Sequence, residues 1–180
     1  MRRCLIRLVI IGMAVTWLMG VCNHAARAGA PTYGEQNSSE ENLAIIVNTT
    51  NPVDTLSLPE LRRIFLGERS HWPNGRRITL VMMEPGQPER RALVREVCQM
   101  NESDFSRHFL QGVFTGEVFV SPKTLSSPVG VRKFVFNVPG AIGYVRASDV
   151  DSSVKVIRVD GRLFTDREYS LRVPPGAASR

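Results

Sequence analysis

Two short apolar runs constrain what this chain can fold into. "LAIIVN" (residues 43–48) is almost continuously apolar and bounded by polar residues, the pattern of a β-strand covered on both faces. "ITLVMM" (78–83) reads as a second buried strand. Strands of this kind need apolar cover, and the segments between and after them supply it as helices. Ser57 as N-cap with Glu60 three residues on forms a capping box, Leu56 and Leu61 stand as the staple around it, and Pro59 fits the first turn. Leu58, Leu61, Ile64 and Phe65 then share one face, and Gly67 stops the helix.

The alternation continues. "HWPNGRR" is a turn built on Pro73 and Asn74-Gly75, with Trp72 expected to pack and close it on the preceding helix. "PERRALVREVCQM" puts Leu93, Val94 and Val97 on one helical face, and "SDFSRHFL" opens another helix at Ser103 with Phe105 and Phe109 four apart. "GVFTGEVFVSPK" (112–123) reads as a loop. Pro128 opens a helix whose stripe is Val131, Phe134, Val135 and Val138, with Pro139-Gly140 as its stop. "AIGYV" and "VKVIRV" follow as strands. Strands alternating with helices define an α/β protein with one mostly parallel sheet flanked by helices.

The first residues carry an address. Arg2, Arg3 and Arg7 precede a fourteen-residue apolar run, Leu8 to Val21, and Ala26-Arg27-Ala28 is a small-x-small cleavage pattern, so residues 1–28 read as a secretory signal. A retained membrane anchor is the competing reading, but the run falls short of the roughly 20 apolar residues that span a bilayer. Val21 before Cys22 argues against lipidation there. Removing the leader takes away Arg2, Arg3, Arg7 and Arg27 and no acid, which lowers the net charge from +6 to +2. The expected location is periplasmic or secreted, with no stable membrane span after cleavage. Residues 29–42 are polar and turn-rich, a flexible lead-in; residues 43–173 form a single domain without internal repeats; residues 174–180 are a loose tail.

Several chemistries are excluded. The remaining basic residues of "ELRRIFLGER" and "PERRALVRE" alternate with Glu60, Glu68, Glu89 and Glu96, the pattern of solvated helix faces and not of a nucleic-acid surface. Cys4 and Cys22 leave with the leader, so Cys98 stands alone and reads as a buried apolar group. His71 and His108 belong to no metal-like pair, so no metal and no cofactor is expected. There is no nucleophile elbow, no P-loop and no acid pair that stands out, and the chain is read as no enzyme.

Three stretches in order, "LAIIVN", "NPVDTLSLPELRRIFLGERSHWPNGRRITLV" and "VPGAIGYV" (138–145), resemble phosphate-type periplasmic substrate-binding proteins of ABC transporters. The resemblance covers roughly residues 43 to 157. It implies one α/β lobe of a two-lobed clamp, because in that family a first lobe precedes the "LAIIVN"-type strand and here only residues 29–42 would stand before it. It also implies a place for an anion: the turn "MMEPGQPERRAL", where Gly86, Gln87, Arg90 and Arg91 are the candidate ligand-binding residues. The family's strand-end Arg falls near Met83, Pro88 removes one N–H donor, and Glu84 and Glu89 bring repulsive charge.

Two functions follow. The first is an exported, non-enzymatic solute-binding module that holds a small oxyanion of the phosphate class weakly, or completes its site with a protein partner or a second copy of itself. The second is an accessory protein that keeps the scaffold and docks a partner through the apolar, non-helical "VFTGEVFVSP".

Overall fold

The computed structural model describes residues 40–174. The signal, most of the lead-in and nearly all of the tail expected from the sequence lie outside the described residues. The lead-in's last residues do not: strand β1 (Glu41–Val47) begins two residues before Leu43, and Glu41 and Asn42 pair with β8 (Arg172–Val173).

Why β1 is apolar from Leu43 onward is plain from its neighbours. It runs through the middle of a six-stranded sheet ordered β4-β3-β5-β1-β6, with β8 also on β1, and Leu43 to Val47 are wholly buried. β3 (Thr79–Met83) pairs parallel with both β4 (Lys123–Leu125) and β5 (Ala141–Arg146). β1 pairs antiparallel with β5, from Leu43↔Arg146 to Val47↔Ile142, and antiparallel with β6 (Lys155–Val156) and β8. β1 is therefore the one strand of this sheet running against the other five. A separate parallel pair joins β2 (Thr55–Leu56) to β7 (Arg158–Val159).

Helix α1 (Leu58–Phe65) begins with the expected box. The Ser57 N–H donates to Glu60 Oε2 at 3.0 Å, and the Glu60 N–H reaches Ser57 Oγ at 3.4 Å. Helix α2 (Pro88–Glu96) buries Leu93 and Val94, with Val97 and Cys98 buried just beyond its end. Helix α4 (Pro128–Asn137) is capped by Ser127 and lays Val131 and Val135 on the sheet.

Two elements depart from expectation. Helix α3 (Glu102–Thr115) takes in the first four residues of the stretch read as a loop. Gly112 allows this: a Cβ there would stand 2.3 Å from Val118 Cγ2, so the chain after the helix folds back against its last turn. "VKVIRV" is broken at Ile157, whose N–H donates to the Ile45 carbonyl at 2.9 Å, and the residues on either side pair in different sheets. Of the apolar residues in "VFTGEVFVSP", Val118 and Val120 are buried while Val113, Phe114 and Phe119 are exposed.

Candidate functional site

The candidate turn lies at the C-terminal end of β3, where an α/β sheet presents loops suited to ligands. Met83 ends the strand, Glu84 bonds across to the Leu125 carbonyl through its N–H (3.0 Å), and Gly86 has φ 92°, which L side chains rarely adopt. Gly86 is exposed and faces open space. Gln87 is the N-cap of α2 with no side-chain cap bond, and Pro88 follows it. The first backbone N–H groups of α2 thus have no cap from their own N-cap residue, and Gly86 leaves room in front of them.

The four candidate residues do not converge. Arg90 is 5% exposed, and its guanidinium turns inward. Nη1 donates to the Met83 carbonyl (2.9 Å), while Nε and Nη2 donate to Glu102 Oε1 (2.9 and 2.7 Å). It also lies 5.5 Å from the centre of the Phe105 ring. Arg91 is exposed and has no ion pair among the described residues. Gly86 and Gln87 remain at the mouth of the turn.

The flanking acids are not alike. Glu84 is exposed. Glu89 is 6% exposed and paired with Arg146 Nε, and Arg146 also approaches Glu41 at 3.6 Å. The repulsion expected from Glu89 is therefore largely offset by a cation 57 residues away in sequence. Arg146, Glu41 and Glu102 were not singled out from the sequence, because pairs so placed leave no periodic or local signal. Beneath the turn, Tyr144 accepts the Met83 N–H at 3.0 Å, and burial raises its phenol above the ordinary value.

Other candidates resolve into packing. Trp72 is 2% exposed and donates from Nε1 to the Gly140 carbonyl at 2.9 Å. His108 meets the Leu66 carbonyl through Nε2 at 2.9 Å. The Cys98 thiol is buried, and desolvation pushes its pKa up to about 12, which makes it a poor nucleophile. Among the described residues no group of His, Cys, Asp and Glu is placed to hold a metal ion, and no helix is long and apolar enough to cross a membrane.

No protein-family model matches the chain. Solved structures do. An ABC-type phosphate transport receptor from Vibrio cholerae superposes with a TM-score of 0.63 at 21% identity, covering 76% of this chain and 55% of its own. A putative phosphate ABC transporter substrate-binding protein from Clostridium perfringens, solved with bound phosphate, gives 0.64 at 24% identity over 76% and 54%. PstS from Borrelia burgdorferi gives 0.58 at 12% identity over 76% and 56%. The chain thus has the fold found in phosphate-type substrate-binding proteins, and spans little more than half the length of these three. At such identities the likeness is one of fold.

Proposed function

We propose that the chain is an exported solute-binding module corresponding to one lobe of a phosphate-type receptor, and that it holds a small oxyanion at the start of α2. The carrying observation is the β3-to-α2 turn: a strand end, an exposed Gly86 with open space before it, and a helix start that its own N-cap residue leaves uncapped. Pro88 has no N–H and the Gln87 N–H donates to the Glu84 carbonyl at 3.3 Å, so the N–H groups of Glu89 and Arg90 are the ones that suit a phosphate or sulfate. The shared fold with receptors named for phosphate supports the same reading.

On this reading the residues take different roles. Gly86, the Gln87 side-chain amide and the Glu89 and Arg90 N–H groups contact the anion, Arg91 adds positive charge from the flank, and the Arg90 guanidinium positions the turn from beneath. Glu84 opposes binding. One lobe by itself excludes water poorly, so its own affinity is low unless further protein, a partner or a second copy, covers the turn. No bond is made or broken, so the module is not an enzyme.

Calorimetric titration of the full chain with phosphate and with sulfate tests this. Binding on the order of millimolar is expected, tightened several-fold in Glu84→Gln because a like charge near the anion is removed. Absence of heat with both anions in both proteins would refute the reading.

A further inference from the structure

Between α2 and the start of α3 lies a cleft of about 310 Å³, lined by Arg91, Val94, Arg95, Met100, Asn101 and Glu102. Its construction is local. Arg91, Val94 and Arg95 stand at i, i+3 and i+4, so they share one face of the helix. After α2 the chain reverses through Gln99, at φ 55°, and the Met100 N–H donates to the Val94 carbonyl at 3.1 Å. That bond sets Met100 beside Val94. Asn101 then caps α3, accepting the Asp104 N–H at 2.8 Å, and the Arg90–Glu102 pair ties the two helices together. Backbone bonds and the Arg90–Glu102 pair fix Met100, Asn101 and Glu102, while the Arg91 and Arg95 side chains at the rim are exposed.

Its chemistry is divided. Val94 and Met100 give an apolar floor. Arg91 is exposed with no acid partner among the described residues, and Arg95, itself exposed, is paired only with its half-exposed neighbour Glu96, a contact readily exchanged. Glu102 brings a negative charge that Arg90 pairs through Oε1, while Oε2 has no hydrogen-bond partner. The uncompensated charge at the rim is therefore positive.

We propose that this cleft binds a small organic carboxylate with an apolar body, its carboxylate on the Arg91 and Arg95 guanidiniums and its body on Val94 and Met100. Arginine suits a carboxylate because its planar fork donates two parallel hydrogen bonds. The volume is at the small end of ligand clefts, which favours a short body over a long acyl chain. The two sites share Arg91, which lines the cleft and flanks the oxyanion turn, while Val94, Arg95 and Met100 belong to the cleft alone.

The test is a titration of the ¹⁵N-labelled full chain followed by amide shifts, with hexanoate as the probe. Saturable shifts at Val94, Arg95 and Met100 are expected, with a Kd on the order of millimolar and acetate weaker by about tenfold or more, since it lacks the methylenes that cover the floor. The double variant Arg91→Ala, Arg95→Ala should weaken hexanoate by about tenfold, with an unchanged melting temperature because both side chains are exposed. No saturable shift, equal binding of acetate, or an unaffected double variant overturns the proposal. Dodecanoate binding far more tightly than hexanoate also overturns it, by pointing to an acyl-chain surface. Phosphate shifts at Gly86 are a separate readout, so either site can fail alone.

Discussion

The guanidinium of Arg90 reaches the last carbonyl of β3 and the carboxylate of Glu102 at the start of α3, so the turn between β3 and α2 is pinned from beneath. Arg90→Ala removes all three bonds and leaves the Met83 carbonyl and Glu102 with less. Glu102 Oε2 already lacks a partner. Because the Glu102 side chain is 32% exposed, water recovers part of the loss, and about 2–3 kcal/mol is expected by urea unfolding. A change below about 0.5 kcal/mol, the size of an ordinary surface substitution, would show that the pair is not structural. Local signals found Ser57, Glu60 and Trp72, because caps and turns are written in adjacent residues. They could not find the inward turn of Arg90, since its partner Glu102 lies on another helix and only the packing of α2 against α3 brings them together.

At the scale of elements, the Trp72 turn and the Pro139-Gly140 turn meet. The Gly140 carbonyl accepts both Trp72 Nε1 at 2.9 Å and the Thr79 N–H at 3.0 Å, joining the turn before β3 to the start of β5. The approach is close enough that a Cβ on Gly140 would lie 2.1 Å from the Arg77 carbonyl oxygen. Gly140→Ala must push the two turns apart, at a cost of about 2 kcal/mol or more and a melting temperature lower by roughly 5–10 °C. An unchanged melting temperature would mean that the turns shift freely. Periodicity made α1, α2, α4, β1, β3 and β5 legible, since each has its own buried stripe or run. It did not show β4, whose Lys123 and Thr124 are exposed at an edge, or the switch at Ile157, which depends on which sheet edge lies nearest.

For the whole molecule, acid sensitivity follows from carboxylates spread over the surface. Burial pushes Glu41 up, but the Ser148 N–H and Arg146 outweigh it and leave its pKa below 4.5. Hydrogen bonds from Ser57 lower Glu60, Lys155 lowers Asp54, and Ser153 lowers Asp151. Groups with depressed pKa stabilise the fold above the ordinary carboxylate range and lose that contribution as pH falls through their folded values. Among the described residues Asp149, raised by burial, acts in the opposite sense. The melting temperature should therefore hold from neutral pH to about 5 and fall steadily below about 4. A rise on going from pH 5 to pH 3 would contradict these assignments. The α/β class and its mostly parallel sheet were readable because layering follows from alternation; whether an anion is held was not, since that depends on which groups the packed turn leaves free.

That last point is open to direct measurement by amide shifts of the ¹⁵N-labelled full chain during a phosphate titration. Saturable shifts largest at Gly86, Gln87 and Glu89 are the predicted result. No saturable shift, or shifts confined to the face of α2 that carries Val94 and Arg95, would contradict an oxyanion site at this turn.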